Sequence, residues 1–300
     1  MARARLHDGS RIEFEVSGTG PAVLLPVDPR PAEEEKADEL RTWGVDPALG
    51  RSLVDGLTGA FRVVAFDYEG HVMAHPKPDT LTPKAVAADI LAVADAAGAD
   101  RFAYYGYSWL ALSGLQLALR TDRLTALAMG GFPPLDGPYA EMLRVTTATH
   151  AMTTGEAATA AGGDDRPTDV PEAEPGAEWG ESADSGEFDW DSVDVTMSAS
   201  QTRQFVTLYE ALASFDDRAA QQEVGCPRLC FAGTADTIRY GPRWGDVVVD
   251  IAGILTATRP ELRSLGWEVH LLDGLDHTAA MQPDQVLPIL RPWLEANATV

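Results

Sequence analysis

The stretch that decides the fold is YYGYSWLALSGLQLALR, residues 104–120. Its first part continues a short apolar run that is typical of a buried strand, and its second part has the apolar spacing of a helix. The change comes at Ser108. A strand that turns abruptly into a helix lifts the side chain at the bend clear of the backbone and directs the first helical N–H groups at any charge that forms there. Ser108 is therefore either a nucleophile on a sharp turn or an ordinary small residue in a loop.

The rest of the chain alternates in the same way. Strand-like runs are RIEFEVSGTG, PAVLLPV, FRVVAFDY (61–68), RFAYYGY, LTALAMGGFPP, PRLCFAGT and WEVHLLDG. Helical patterns occupy a polar stretch that ends near Gly59, residues 82–100 with Thr82 as N-cap, residues 244–264, and the closing TAAMQPDQVLPILRPWLEA. Short apolar strands alternating with helices predict an α/β fold with a mostly parallel, doubly wound sheet. In such sheets the chemistry lies at the carboxyl ends of the strands.

One long interruption separates the later strands from the earlier ones. Residues 138–222 are predicted to form a helical lid inserted into a core made of residues 1–137 and 223–300. The flanks of the insertion, PYAEMLRVTTATHAM and QTRQFVTLYEALASFDDRAA, are helix-like. Its centre, residues 155–194, holds thirteen Asp or Glu and one Arg, so we expect it to be poorly ordered.

The overall charge limits the partners. A net charge of −23 and a pI of about 4.5 would repel phosphate backbones and anionic lipids, which argues against nucleic-acid and membrane partners. No apolar run is long enough to span a bilayer, and the N-terminus lacks the apolar core of a signal peptide. We expect a cytoplasmic protein that acts on a small-molecule substrate, and a homodimer is possible.

Neither cysteines nor histidines indicate a metal or a cofactor. Cys226 and Cys230 would lie roughly 13 Å apart on an extended chain, too far for a disulfide, so we expect two buried thiols on a core strand. His71 and His75 are four residues apart but have no further ligands nearby.

A serine nucleophile needs a base and an acid elsewhere in the chain. Of the six histidines, only His277 lies in a loop directly after a terminal strand. Asp236 follows the preceding strand, in RLCFAGTADT. The other candidates for the acid are Asp136, after the strand LTALAMGGFPP, and Asp273 or Asp276, beside the histidine. The order serine, aspartate, histidine is the order expected of one fold with such a turn.

These segments together resemble α/β-hydrolase fold proteins, over most of the chain outside the insertion. FRVVAFDYEGHVMAHP resembles the family's strand and Gly-His-Gly loop, YYGYSWLALSGLQLA its nucleophile elbow, and FAGTADT and GLDH its acid and histidine loops. The resemblance implies Ser108 as nucleophile, Asp236 as acid and His277 as base. It also implies that Trp109 supplies one backbone N–H to the oxyanion hole.

Two positions depart from the family pattern. The loop after the VLL strand usually carries His-Gly, whereas this chain has Pro26 and Val27 there. Because proline has no N–H, the second oxyanion donor would be Val27 or Asp28, and an Asp28 side chain that faced the oxyanion would repel it. Leu110 stands where the elbow usually has its last glycine.

The sequence predicts a serine hydrolase that cleaves an ester, thioester or lactone through an acyl-enzyme. One alternative is an amide hydrolase similar to proline iminopeptidases, because Gly-Tyr-Ser-Trp resembles the elbow of that branch. Another is a non-hydrolytic enzyme or binding protein on the same fold, because the oxyanion segment is altered.

Overall fold

The computed structural model describes residues 1–42, 44–155 and 195–298. Its strands are β1 (Ala2–Arg5), β2 (Arg11–Ser17), β3 (Ala22–Leu25), β4 (Arg62–Ala65), β5 (Phe102–Tyr107), β6 (Leu124–Gly130), β7 (Arg228–Gly233), β8 (Thr237–Arg239), β9 (Val248–Asp250) and β10 (Trp267–Leu272). Its helices are α1 (Glu34–Thr42), α2 (Leu49–Leu57), α3 (Tyr68–Ala74), α4 (Pro83–Ala96), α5 (Trp109–Ala118), α6 (Tyr139–Thr154), α7 (Ala199–Glu210), α8 (Asp217–Ala220), α9 (Ile251–Ser264), α10 (His277–Ala280) and α11 (Pro283–Asn297).

Eight of the strands form one sheet in the order β1-β2-β4-β3-β5-β6-β7-β10. The pairs from β4 to β10 are parallel, and β2 runs antiparallel to both of its neighbours. The mostly parallel α/β sheet predicted from the sequence is therefore confirmed. The chain leaves β3 for β4 on one side and reaches β5 on the other, so the carboxyl ends of β3 and β5 flank the topological switch point, where open α/β sheets bind ligands.

Both faces of the sheet are covered, which explains why its central strands are apolar throughout. In β5, Phe102 and Tyr104 point to the face covered by α4, α5 and α9, and Ala103 and Tyr105 point to the face covered by α2 and α11. Thr82 accepts the Ala85 N–H and starts α4 as predicted.

Several predicted elements have different limits in the structure. The strand predicted over 61–68 ends at Ala65, because Asp67 accepts the Gly70 N–H at 2.8 Å and starts α3. The helix predicted over 244–264 begins only at Ile251, after the small antiparallel pair of β8 and β9. The polar helix-like stretch is two helices, α1 and α2, and the closing helix is divided into α10 and α11 where Pro283 starts a new first turn. Strand β1 was not predicted at all.

The two cysteines are free, but only one fits the prediction. Cys230 lies in β7 and is fully buried. Cys226 precedes the strand and is only partly buried, so its predicted place on a core strand was wrong.

The helices of the insertion lie over the carboxyl edge of the sheet. Helices α6 and α7 pack against each other, and α7 contacts the core where Gln201 Nε2 donates to the Met73 carbonyl at 2.8 Å. Phe205 of α7 packs edge-on against Trp109, with ring centroids 5.5 Å apart. The acidic centre of the predicted lid lies outside the described residues from 156 onward. No helix in the described ranges combines the length and apolar character that crossing a bilayer requires.

A buried charged cluster joins the N-terminal hairpin to α3 and α4. Asp89 of α4 is fully buried and accepts hydrogen bonds from the Tyr68 hydroxyl and the His7 backbone N–H, both at 2.8 Å. The ammonium group of Lys77, also buried, lies 3.4 Å from Asp89 and 2.6 Å from Asp8. Tyr68 in turn packs against Trp109, with ring centroids 6.1 Å apart. The cluster therefore supports the residue that follows Ser108.

We expect Asp89→Ala to destabilise the protein by about 3–5 kcal/mol, because it leaves the buried Lys77 ammonium without one of its two carboxylates. Denaturant unfolding measures the change. The control is Glu13→Ala, which breaks an exposed ion pair with Arg3 and is expected to have little effect. Equal destabilisation by the two variants would contradict the importance of the buried cluster.

Candidate active site

Ser108 occupies a strained turn between β5 and α5. Its backbone angles are φ 56° and ψ −130°, a region that residues other than glycine seldom adopt. The turn also requires glycine at position 106, because a Cβ there would lie 2.4 Å from the Leu110 carbonyl oxygen. Glycine at this position would relieve the strain. The presence of serine instead indicates that its side chain has a function.

Leu110 does not disturb this turn. Its carbonyl oxygen accepts a hydrogen bond from the buried Tyr104 hydroxyl at 2.8 Å, and its side chain is almost completely buried. The Tyr104 ring lies against Gly114, where a Cβ would approach it to 2.5 Å. A glycine one turn further along thus provides the room that the elbow needs.

His277 and Asp236 are in contact. His277 Nδ1 lies 3.0 Å from each carboxylate oxygen of Asp236, across 41 residues of sequence. Asp236 follows β7 and is fully buried, whereas His277, after β10, is partly exposed. A buried carboxylate on Nδ1 holds the imidazole in the tautomer that leaves Nε2 free to accept a proton.

The imidazole is held on the side of the sheet where Ser108 lies. Gly131, at φ 62°, lies under the ring, and a Cβ at this position would be 2.9 Å from His277 Cε1. The preceding residue, Gly130, accepts the Ser108 N–H at 2.8 Å. Tyr107 donates its hydroxyl proton to the His277 carbonyl at 2.7 Å, and burial raises its pKa so that it stays neutral. Residues 107, 108, 130, 131 and 277 thus form one contiguous group.

The predicted oxyanion donors are available. Within the described residues no acceptor contacts the backbone N–H of Val27, Asp28 or Trp109. The Asp28 carboxylate is turned toward Arg30, which donates through Nε at 2.9 Å and Nη2 at 3.2 Å. The repulsion expected of an aspartate in this loop is therefore neutralised by an arginine two residues later.

Two of the rival acids, Asp136 and Asp276, have other partners. Asp136 accepts two hydrogen bonds from the Arg218 guanidinium, at 3.1 Å and 2.5 Å, and does not contact His277. Asp276 accepts the Ala279 N–H at 2.7 Å and caps α10. His71 and His75 stack with ring centroids 4.9 Å apart, and no group of three potential metal ligands converges within the described ranges.

Tyr107, Gly131 and Arg30 lie at the candidate site, and the sequence analysis did not name them. Tyr107 and Gly131 pack against His277, and nothing in the local sequence predicts these contacts. Arg30 could have been found, because Asp-x-Arg places opposite charges two residues apart in a loop. The signal is weak without knowledge of which way Asp28 points.

The loop of residues 26–28 carries the predicted oxyanion donors Val27 and Asp28 and is called the oxyanion loop here. We expect Gly50→Ala to displace this loop and to reduce kcat by about 10²-fold. Gly50 of α2 packs directly under this loop, and a Cβ there would lie 1.9 Å from the Asp28 carbonyl oxygen. The loop must therefore move, and its N–H groups move with it. Steady-state kinetics on an ester substrate gives the measurement.

The matched control is Gly225→Ala, because a Cβ at Gly225 meets nothing within 4 Å and its φ is not positive. This variant should keep the activity of the parent. An unchanged kcat in Gly50→Ala would contradict a role of the 26–28 loop in catalysis.

Comparison with known proteins gives matches in structure only. No protein-family model and no curated protein matches the sequence. An esterase from Thermogutta terrifontis superimposes with a TM-score of 0.54 at 15% identity, over 98% of this chain and 97% of its own. An enol-lactonase from Burkholderia xenovorans LB400 gives 0.54 at 16% identity, over 97% and 99%. A bromoperoxidase from Bacillus anthracis gives 0.57 at 14% identity, over 98% and 99%.

These similarities cover 97–98% of this chain and 97–99% of the similar chains. At these identities the likeness concerns the fold, and the fold predicted from the sequence motifs is confirmed. This protein has the α/β-hydrolase fold.

Proposed function

We propose that this protein is a serine hydrolase that cleaves an ester, thioester or lactone of a small molecule. The observation that carries the proposal is the contact of His277 Nδ1 with the buried Asp236 carboxylate, at the sheet edge where Ser108 sits on a strained turn. In this proposal Ser108 is the nucleophile, His277 the base and Asp236 the acid.

In the proposed reaction, His277 Nε2 removes the proton from Ser108 Oγ as the oxygen attacks the substrate carbonyl. The Asp236 carboxylate stabilises the imidazolium that forms. The backbone N–H groups of Trp109 and of Val27 or Asp28 bind the oxyanion. His277 then protonates the leaving group, and a water molecule, deprotonated by the same imidazole, releases the acid from Ser108.

Labelling with a fluorophosphonate tests the nucleophile, and hydrolysis of ester and aminoacyl-amide substrates side by side tests the leaving group. We expect covalent labelling at Ser108 and faster turnover of esters, since an alkoxide needs less protonation to leave than an amine. Faster turnover of the aminoacyl amides would favour the iminopeptidase-like alternative.

The altered oxyanion loop favours a second candidate, a non-hydrolytic enzyme or binding protein on the same fold. Pro26 leaves this loop with one backbone N–H fewer. The similar solved structures also include a bromoperoxidase, so they are not all named as hydrolases. This candidate predicts that serine-directed probes do not label the folded protein, although a small ligand still raises its melting temperature.

A further inference from the structure

Gln282 is a buried polar residue close to the candidate site, and its side chain does not serve the helix that it begins. It is the N-cap of α11, a position where short side chains such as those of Ser, Thr, Asn and Asp usually bond the first helical N–H groups. Within the described residues of α11, no N–H group donates to the Gln282 side chain, although only 7% of the residue is exposed. A buried amide is costly unless it is hydrogen-bonded, so its actual partners indicate its role.

Both ends of the Gln282 amide bond to backbone groups outside α11. Nε2 donates to the Thr278 carbonyl at 2.8 Å, and Oε1 accepts the Asp46 N–H at 2.8 Å. One partner can only accept and the other can only donate, so together they fix the orientation of the amide. Gln282 therefore joins α10 to the loop before α2.

The bond to Thr278 holds the short helix that carries the candidate base. Helix α10 has only four residues, so its last carbonyl groups need partners from outside a regular helix. The His277 carbonyl accepts the Tyr107 hydroxyl at 2.7 Å, and the Thr278 carbonyl accepts Gln282 Nε2. Two side chains thus hold consecutive carbonyl groups, and with them the backbone of His277.

The bond to Asp46 connects Gln282 to the first turn of α2. Asp46 Oδ1 accepts the Ala48 N–H at 2.8 Å, and Oδ2 accepts the Ser52 hydroxyl at 2.6 Å. The Asp46 carbonyl also accepts the Leu49 N–H at 3.0 Å. The position of Asp46 therefore sets where α2 begins.

Helix α2 in turn holds the oxyanion loop. Gly50 packs so closely against this loop that a Cβ would lie 1.9 Å from the Asp28 carbonyl oxygen. One residue later, Arg51 Nε donates to the Pro29 carbonyl at 2.9 Å. A shift in the first turn of α2 therefore moves the segment that carries the N–H groups of Val27 and Asp28.

We propose that Gln282 is a positioning residue that couples the base to the oxyanion loop, through Thr278 on one side and Asp46 with α2 on the other. The base and the oxyanion donors have to act on one tetrahedral centre, so their relative position determines the rate. This inference rests on the proposed hydrolase function for the roles of His277 and the loop, but the structural link does not depend on it.

The first experiment uses Gln282→Met, which keeps the length of the side chain and removes both hydrogen bonds. We expect kcat for p-nitrophenyl acetate to fall about tenfold with little change in KM, because a displaced catalytic group slows the chemical step more than it weakens binding. Gln282→Glu is the milder variant, since it keeps the acceptor for Asp46 and loses the donor to Thr278. An unchanged kcat in both variants would overturn the proposal and leave the hydrolase function standing.

The matched control is Gln221→Met. Gln221 is also buried, and its amide also joins distant segments, with Nε2 donating to the Pro134 carbonyl at 2.7 Å and Oε1 accepting Trp267 Nε1 at 2.7 Å. This variant should lower the melting temperature and keep the kcat of the parent. An equal loss of kcat in Gln221→Met and Gln282→Met would mean general destabilisation, and the positioning role would be wrong.

The second experiment adds Gly50→Ala to each variant. If Gln282 acts through α2, Gln282→Met should cost less in the Gly50→Ala background than in the parent, because the oxyanion loop is already displaced there. Gln221→Met should have the same small effect in both backgrounds. Losses of kcat that multiply fully in the Gln282→Met/Gly50→Ala double variant would exclude the route through α2.

The third experiment requires no catalysis. In Gln282→Met, we expect shifts in two NMR resonances, the imidazole Cε1–H of His277 and the backbone amide of Asp28, and in Gln221→Met a shift in neither. An unchanged resonance of either group in Gln282→Met would overturn the link, even in a protein that hydrolysed no ester.

Discussion

Ser108→Ala is expected to lower kcat by about 10⁶-fold and to abolish labelling by a fluorophosphonate, because removal of the nucleophile leaves only the oxyanion donors and substrate binding to accelerate the reaction. The substitution removes one oxygen atom from a partly buried side chain. The backbone of the turn is set by Gly106 and by the hydrogen bond from the Ser108 N–H to the Gly130 carbonyl. The fold should therefore persist, and circular dichroism with thermal unfolding verifies that the lost activity is not lost structure.

The strained backbone at Ser108 allows a second test of this prediction. Glycine adopts φ 56° and ψ −130° with little cost, so Ser108→Gly should be inactive and yet as stable as the parent or more stable. Ser264→Ala serves as control, because the Ser264 hydroxyl, at the exposed end of α9, only bonds the Glu261 carbonyl. Retention of more than a small fraction of activity in Ser108→Ala would rule out acyl transfer through this residue.

Asp236→Asn is expected to lower kcat by about 10⁴-fold with little change in KM. The amide has nearly the shape of the carboxylate, but its NH₂ group can donate to His277 Nδ1 and so stabilise the tautomer whose Nε2 already carries a proton. That imidazole cannot act as a base toward Ser108. The asparagine also fails to stabilise the imidazolium.

Asp136→Asn is the matched control, and it also tests the alternative acid. Because Asp136 is paired with Arg218 on the surface, its replacement should leave kcat almost unchanged. A larger loss of kcat in Asp136→Asn than in Asp236→Asn would reverse the assignment of the acid. If both variants kept full activity, His277 would need no carboxylate, and the triad would be wrong.

Local sequence was sufficient to predict those helices and strands whose sequence patterns span only a few residues. Thr82 and Pro83 start α4 because a hydroxyl acceptor and a residue without N–H satisfy the first turn of any helix. The continuous apolar residues of β5 required burial on both faces, which means a parallel sheet between two helical layers. The hairpin of β8 and β9 gave no such signal, because three-residue strands are too short to show a period.

The sequence also predicted only part of the candidate site. Ser108, Asp236 and His277 could be named from the sequence, since each follows a strand and the carboxyl ends of parallel strands share one edge. The family resemblance favoured Asp236 over Asp136, but the strand-end rule does not separate them, because both follow a strand. The fold shows that Asp236 contacts the imidazole and that Asp136 is paired with Arg218.

By itself, the sequence determined the α/β architecture and the strand ends at which the candidate residues lie, because hydrophobic periodicity and turn chemistry act over a few residues. Only the tertiary structure decided which groups meet. The contact of His277 with Asp236 and the support of His277 by Tyr107 and Gly131 depend on contacts between segments distant in sequence. Such contacts follow from the packing of the whole chain, which no short pattern encodes.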